Sequence, residues 1–291
     1  MLDETEPRPR RVAVGEFDGV HLGHREVIRG SDTVLTFEPH PLQVIRPEAA
    51  PKLLTSLDVK SELIAALGVE ELVVIPFDHG FAEQTPAEFI DRVLVERLGA
   101  ERVAVGENFR FGHGAAGDPG LLAADPRFET RIVPLVEVGD EVVSSSHIRG
   151  LVLAGEVELA AGFLGAPFQL RGLVVSGDRR GRELGFSTAN IVPDQALVYP
   201  GNGVYAARAD GACAAVSVGV RPTFGTGRAV LIEAYLIDRE VDLYGQNLRI
   251  EFLQRLRGER RFDSVEALVD QMHRDVEATR EVCARGTADP C

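Results

Sequence analysis

The stretch Val12-Ala-Val-Gly-Glu-Phe-Asp-Gly-Val-His-Leu-Gly-His24 constrains the fold more than any other part of the chain. Three small apolar residues run straight into Gly15, an acidic turn punctuated by glycines follows, and His21 and His24 come three residues apart. An apolar run that ends in such a turn and enters a helix is a strand–turn–helix unit. In an open α/β sheet, ligands bind at the carboxyl end of such a strand, and the free N–H groups opening the helix favour an anion such as a phosphate. Histidines at i and i+3 share one helix face, and two donors on one face can hold phosphate oxygens as negative charge builds up during group transfer. Gly15, Gly19 and Gly23 suit close approach of backbone to ligand. Taken alone, His-x-x-His reads as well as half of a zinc site or as a core pair.

The pattern after this unit is that of a parallel α/β sheet. Thr33-Val-Leu-Thr-Phe37 reads as a second buried strand, and Leu63, Ile64 and Leu67 carry the apolar face of a helix from Ser56 that Gly68 stops. Leu72 to Phe77 is a third strand. Thr85-Pro-Ala-Glu88 supplies an N-cap, a proline in the first turn and a capping-box glutamate for a helix whose apolar face is Phe89, Ile90, Val93, Leu94 and Leu98. Arg102–Val105 and Arg131–Val136 make five strands. Strands alternating with helices imply a parallel sheet with right-handed crossovers.

The polar motifs fall in register with this alternation. Gly15–His24 follows the first strand, Glu38-Pro-His-Pro41 the second, Gly106-Glu-Asn-Phe-Arg-Phe-Gly112 the fourth, and Ser144-Ser-Ser-His-Ile-Arg149 the fifth. All carboxyl ends of a parallel sheet share one edge, so these stretches converge on one crevice. Ser144, Ser145 and the amides beside them can form an anion site, with Arg149 as a bidentate donor one turn into the helix; a plain serine N-cap and a solvated arginine read as well. Glu38–Pro41 reads equally as a rigid turn. Asn108 and Phe109 suit holding and stacking a base, and Arg110 suits the surface equally.

From Phe168 the period changes. Leu170–Val175, Val204–Ala209, Ala212–Val218, Val230–Ile237 and Leu248–Phe252 are short strands, and Asp210-Gly211 between two of them is a strong hairpin signal. Such a run suggests a small antiparallel barrel. A terminal helix from Ser264 carries Val265, Leu268, Val269, Met272 and Val276 as a core face, and Asp263 with Glu266 offers it a capping box. Gly177-Asp-Arg-Arg-Gly-Arg-Glu-Leu-Gly185 is a glycine- and arginine-rich loop whose amides can wrap phosphates, with Gly177, Arg182 and Gly185 as nucleotide contacts; it reads equally as a flexible basic hairpin. Thr188 and Asn190, just beyond it, offer hard oxygen ligands for Mg²⁺. Glu233, in an otherwise apolar strand, either points to solvent or faces that pair as a general base.

At 291 residues the chain has room for two cores. The expected boundaries are a short disordered tail over 1–11, a first domain over 12–165, a second over 166–284 and a tail over 285–291, with the junction near Gly165-Ala-Pro167. A net charge of −14 argues against a nucleic-acid partner, because phosphate backbones require basic patches. No apolar run approaches the roughly 18 residues needed to span a membrane, and residues 1–11 lack a signal-peptide core. Cys213, Cys283 and Cys291 form no CxxC pair and no zinc spacing; this odd, sparse set suits reduced thiols in a cytoplasm. The sequence sets no oligomeric state.

With these residues assembled, the chain resembles the prokaryotic bifunctional riboflavin kinase / FAD synthetase family from about Val12 to Val282. The resemblance rests on Gly15–His24 (GxFDGxHxGH), Thr36-Phe-Glu-Pro-His-Pro41, the Gly106 and Ser144 blocks, Gly181–Asn190, Gly219-Val-Arg-Pro-Thr-Phe224, Glu233, Asp242-Leu-Tyr-Gly245 and Leu256-Arg257, in family order. It implies an N-terminal Rossmann-like nucleotidyltransferase sheet and a C-terminal riboflavin-kinase barrel with a terminal helix. It implies ATP-dependent phosphorylation of riboflavin to FMN in the barrel, with Glu233 as base, Thr188 and Asn190 holding Mg²⁺–ATP, and Arg257 and Tyr244 at the flavin. It implies adenylylation of FMN to FAD in the sheet, where His21, His24 and Arg149 act on the phosphates and Gly15, Phe17, Gly19, Asn108, Ser144 and Ser145 bind nucleotide. No Walker A sequence is present, which disfavours a P-loop kinase.

The chain departs from the family pattern at three places. Ser187 stands where proline is usual, Ser146 where threonine is usual, and Arg25–Leu35 replaces a longer first helix and crossover. The last departure sustains a second reading, a monofunctional riboflavin kinase with an impaired first domain. A third reading, from another class, is a flavin- or nucleotide-sensing protein without turnover.

Overall fold

The computed structural model describes residues 8–176, 186, 188–223, 227–239 and 243–285. The chain divides into two compact units between Ser145 and Ser146. In the first, β1 (Arg10–Val14), β2 (Thr33–Glu38), β3 (Glu71–Pro76), β4 (Ala100–Gly106) and β5 (Glu129–Val133) form a parallel sheet in the order β3-β2-β1-β4-β5. Successive side chains of a strand face opposite ways, and here both faces are covered. Val12, Val14, Leu35, Val73, Ile75, Val103 and Val105 pack on one side with Phe89, Ile90, Val93, Leu94 and Leu98. Ala13, Val34 and Ala104 pack on the other with Val27, Ile28 and Ile64. Sheets buried on both faces need near-continuous apolar strands, which is what these segments are.

The helices of this unit are α1 (Leu22–Ile28), α2 (Pro41–Ile45), α3 (Leu57–Ala65), α4 (His79–Ala82), α5 (Pro86–Glu88) and α6 (Pro119–Ala123). Ser56 caps α3, and Thr85 with Glu88 forms the expected capping box of α5. The segment Phe89–Arg97 then widens to a π-type winding, with the Leu98 N–H donating to the Val93 carbonyl at 3.0 Å. A small hairpin, β6 (Glu137–Val138) and β7 (Glu141–Val142), follows the sheet. Two of the boundaries that differ from the sequence reading have a plain cause. Arg10 and Arg11, expected in a tail, open β1, because Arg10 is buried against Glu71 and Arg11 pairs with Asp32. The fifth strand starts two residues earlier and stops at Val133, since Pro134 has no N–H for the ladder.

The second unit begins at Ser146, one residue into α7 (Ser145–Ala154), and continues with α8 (Val157–Leu164), closed by Gly165 in the left-handed region. The expected domain junction near Gly165-Ala-Pro167 is the passage from α8 into β8 (Phe168–Val175). With β9 (Thr188–Pro193), β10 (Gly203–Ala209), β11 (Ala212–Thr223), β12 (Gly227–Leu236) and β13 (Asn247–Arg257), β8 closes an antiparallel six-strand barrel ordered β10-β11-β12-β9-β8-β13. Asp210 and Gly211 both take positive φ, 44° and 78°, the two-residue turn that matches the twist of a hairpin. Large Tyr205, Phe252, Ile232 and Ile250 fill the interior beside small Ala207, Ala214 and Ala234.

The terminal helix α9 (Val265–Arg285) lies on the barrel's outer side, where Val276 joins Phe186 and Ile237 in a buried cluster lined by Tyr235, Val269 and Met272. Four expectations change here. Thr188–Asn190, placed only as the stretch just beyond the glycine-rich loop, belongs to strand β9. The α9 cap is Ser264, whose hydroxyl accepts the Ala267 N–H at 3.1 Å, rather than Asp263. Val265, expected in the core, is 57% exposed because the helix meets the barrel only beyond its first turn. And Cys213 and Cys283, expected as free thiols, form a disulfide: β11 and the end of α9 bring together residues 70 apart in sequence, with Cα atoms 6.1 Å apart.

Candidate active sites

The turn between β1 and α1 is held under strain. Phe17 and Val20 take φ of 51° and 43°, and a β-branched residue at positive φ is a genuine outlier. Gly19, at φ 86°, meets the same demand without a Cβ. Side chains and strands pin the turn from all sides. Asp18 Oδ1 accepts the N–H groups of Leu54 and Thr55 at 2.8 and 3.1 Å, and the Gly19 N–H donates to Thr55 Oγ1 at 3.1 Å. Ser145 Oγ donates to the Asp18 carbonyl at 2.9 Å, which ties the loop after β5 to the loop after β1. Thr36 Oγ1 donates to the Glu16 carbonyl at 3.1 Å.

The two histidines are stacked, ring centroids 3.5 Å apart and 16° from parallel. His21 caps α1: its Nδ1 accepts the His24 N–H at 3.2 Å, so its ring proton in the neutral form sits on Nε2. The seven-residue α1 is therefore long enough to set both rings. Phe17, buried in the core, meets the His24 ring edge-on at 5.4 Å, so its own ring is occupied in orienting His24. Parallel stacked rings suit side-by-side donation to one anion better than convergence on one metal ion. Gly15 and Gly23 make room within the protein: a Cβ on Gly15 would meet the Phe17 ring at 3.0 Å, and one on Gly23 the His21 ring at 3.3 Å.

The electrostatics of this turn are unusual. Burial, then His21 and Lys60, hold His24 well below the usual histidine range, so it is neutral at pH 7 before a ligand arrives. Lys60, only 3% exposed, projects from α3. Glu16 is pushed up to about 8, chiefly by burial and by Asp18 and Glu38, against the opposing pull of Lys60. Sequence reading left Lys60 and Glu16 without a role. The signal for Lys60 was present, since it falls between Val59 and Leu63–Ile64 on the apolar face of α3.

The other expected residues of the first unit lie where the parallel sheet puts them, beyond the carboxyl ends of β4 and β5. Asn108 is exposed, its side-chain oxygen folded over Gly106, and Phe109 stacks on Phe111 at 5.6 Å. Ser144 is half-buried. His40 caps α2 in a capping box with Gln43, so this stretch after the cis Glu38–Pro39 bond serves as a rigid turn. In the second unit Arg149 is half-buried, with Nη1 3.2 Å from Ser146 Oγ.

On the barrel, register decides which residues meet. Asn190 pairs with Glu233 and with Val175, and Glu233 with Ser217, so these four form one row across β8, β9, β12 and β11. Directly opposed residues of an antiparallel pair share a face. Ile232, Ala234 and Leu236 point into the barrel, which puts half-buried Glu233 on the outer face. Thr188, opposite Tyr235, lies on that face beside Asn190, and Asn190 is 7% exposed. Phe186 packs on Tyr235 and on His273 of α9, both at 5.1 Å, closing one side of the row. Among the described residues no group of three His, Cys, Asp or Glu gathers as a metal cluster. Thr188 and Asn190 present instead a hydroxyl and a carboxamide oxygen, hard donors that fit a magnesium retaining other oxygen ligands.

Against this geometry, the FAD synthetase family model matches residues 3–147 and the riboflavin kinase family model residues 164–283. The bifunctional riboflavin kinase/FMN adenylyltransferase of Listeria monocytogenes is 38% identical over 97% of this chain and 95% of its own length. The chain belongs to the bifunctional riboflavin kinase/FMN adenylyltransferase family. Members from Bacillus subtilis and Escherichia coli (strain K12) are 35% and 36% identical, over 91% and 93% of this chain and 89% and 91% of theirs. A solved structure described as a macrolide-efflux protein from Streptococcus pneumoniae superposes with a TM-score of 0.87 at 32% identity, covering 96% of each chain. Among the described residues of this family member, no helix is long and apolar enough to cross a membrane.

The two residues expected at the flavin, Arg257 and Tyr244, lie at the end of β13 and in the turn before it. Arg257, at the end of β13, is clasped by Asp275 of α9, with Nη2 2.7 Å and Nε 3.1 Å from its oxygens. Gln271 donates to the same carboxylate at 2.8 Å, and the guanidinium lies 5.8 Å over the Phe262 ring. Tyr244 is 54% exposed. Gly177, Arg182 and Gly185, and with them Ser187, lie outside the described residues.

Proposed function

We propose that this chain makes FMN from riboflavin and ATP in its barrel, and FAD and pyrophosphate from FMN and a second ATP in its parallel-sheet domain. The observation that carries the reading is that two family models, one for each activity, fall one on each half of a single chain. The monofunctional alternative loses its ground with α1, which forms and is capped by His21. We place the functional boundary between the domains near Gly165-Ala-Pro167.

In the barrel, Glu233 accepts the proton of the ribityl 5′-hydroxyl as it attacks the γ-phosphate of ATP, leaving ADP. Its place beside Asn190 and near Thr188 supports that role. Thr188 and Asn190 would hold Mg²⁺, which supplies charge neutralisation on the phosphates. Arg257, pre-set by Asp275, and Tyr244 border the flavin, and Gly177, Arg182 and Gly185 wrap ATP.

In the sheet domain, the FMN phosphate attacks the α-phosphate of ATP and pyrophosphate departs. His21 and His24 face the α-phosphate. An arriving phosphate raises the proton affinity of the buried, neutral His24, so its positive charge appears only when there is negative charge to meet. Gly15, Phe17 and Gly19 shape the turn around the nucleotide, Asn108 borders the base, and Ser144, Ser145 and Arg149 take the remaining phosphates.

The test is a product assay begun separately from riboflavin and from FMN, each with ATP and Mg²⁺. The expected products are FMN then FAD from the first, and FAD with pyrophosphate from the second. FMN alone, with no FAD from supplied FMN, would reinstate the monofunctional reading; tight flavin binding without ATP consumption would point to the sensor.

A further inference from the structure

Glu16 is the first of the three unspecified positions of the GxFDGxHxGH stretch, before Val20 and Leu22, and nothing in the two-step chemistry above uses its side chain. Its backbone is fixed on both sides, by the Gly15 N–H donating to Leu35 O at 3.1 Å and by Thr36 Oγ1 donating to its own carbonyl. The side chain is thereby committed to the carboxyl edge of the two central strands. There its Oε2 is enclosed, and among the described residues it has no hydrogen-bond partner. The same is true of His24 Nδ1, eight residues on in the same motif. No ion pair joins Glu16 to Lys60 among the described residues, although Lys60 is near enough to pull on both Glu16 and His24. A buried polar atom without a partner is costly, and two within one motif, one of them on a Glu16 side chain that is only half-buried, point to a ligand that completes them.

We propose that Glu16 is a substrate-contacting residue of the adenylyl-transfer site, a neutral carboxylic acid that donates its O–H to an anionic phosphoryl oxygen of ATP or FMN. This rests on the assignment of FMN adenylylation to the sheet domain. A carboxylate beside a triphosphate repels it, whereas a carboxylic acid gives the short, charge-assisted O–H···O⁻ bond. The groups facing Glu16 keep the acid form. Asp18 of its own turn and Glu38 at the end of β2 oppose ionisation, as burial does, and Lys60 of α3 is outweighed. His24 of α1, held neutral, adds no charge that would reverse this. Phosphate oxygens add further negative charge, so bound substrate holds the proton more firmly still.

The experiment is the pH dependence of kcat/KM for FAD formation, with ATP and FMN varied in turn. For the natural chain, kcat/KM is expected to fall about tenfold per pH unit above the Glu16 transition near pH 8, roughly 30-fold by ~pH 9.5. In Glu16→Gln, which keeps an N–H donor but has no charge to gain, that limb disappears. A limb confined to kcat/KM for ATP assigns the contact to the nucleotide phosphates, and one confined to FMN assigns it to the flavin phosphate. An unchanged alkaline limb in Glu16→Gln overturns the proposal, whereas no FAD from the natural chain overturns the reading beneath it. Independently of any variant, ¹³C-carboxyl NMR of the natural chain should show one glutamate titrating at about 8 that moves upward when a non-hydrolysable ATP analogue binds. Glutamates that all titrate in the ordinary range refute it too.

Discussion

The Cys213–Cys283 bond makes a quantitative demand on the barrel domain. It joins residues 70 apart in sequence and ties the end of α9 to β11, with Arg208 reaching the Cys283 carbonyl beside it at 3.4 Å. Closing a loop of that length removes denatured-state entropy worth about 4 kcal/mol at 25 °C. A typical domain has a total stability of roughly 5–15 kcal/mol, so the cross-link is a large share. For a unit of this size the difference corresponds to a melting-temperature change on the order of 10 °C. Thiol titration of the denatured chain without reductant should find one free group, Cys291, and three after reduction. Calorimetry of the oxidised chain, the reduced chain and Cys213→Ser should then show one transition falling by that amount. The heat inactivation of riboflavin phosphorylation should move with it, and further than that of FMN adenylylation, whose histidine turn lies in the other unit. Three reactive thiols before reduction, together with a melting temperature indifferent to reductant, would refute the reasoning.

The division of labour between the units is tested by two substitutions. Glu233→Gln should lower riboflavin phosphorylation by about 10²–10⁴-fold and spare FAD formation from FMN, and His24→Ala the reverse; loss of both rates in a still-folded variant refutes it. Asp275→Ala strands the Arg257 guanidinium, which is 13% exposed against 8% for its partner, and should cost about 3–5 kcal/mol in denaturant unfolding, with a raised KM for riboflavin. Glu71 is held below its ordinary 4.5 mainly by its hydrogen bond from Arg10. A depressed folded-state value stabilises above the unfolded value and is lost as pH falls through the folded one. Glu71→Gln should therefore melt earlier than the natural chain at neutral pH, with the gap closing as the pH falls below 4.5; a gap independent of pH would refute the assignment.

What the amino-acid sequence disclosed, and what it withheld, divide along a physical line. Periodicity reports which face of a segment is buried, so the five parallel strands, the Ser56 and Thr85 helix starts and the Asp210-Gly211 hairpin were all legible before any coordinates. Strand β9 was not, because Thr-Ala-Asn has weak strand character and owes its state to pairing with β12, a partner more than forty residues away. The same register is what sets Asn190 beside Glu233, so the barrel residues were legible as a set while their meeting was not. The disulfide was hidden for a like reason: only closure of the barrel under α9 brings its two cysteines together.

In the sheet domain the limit is of another kind. The histidine motif was plain, but the state of His24 depends on its burial, on His21 and on Lys60 of α3, and that of Glu16 on its burial, on Lys60 and on Glu38 of β2 as well. Lys60 and Glu38 come from segments whose periodicity says nothing of what they face across the turn. Phe17 shows the converse, a motif residue whose ring serves the motif's own geometry. Pattern thus singles out the histidine turn, whereas the balance of buried charge around Glu16 and His24 sets the protonation states within it. That balance becomes visible only once burial can be read atom by atom.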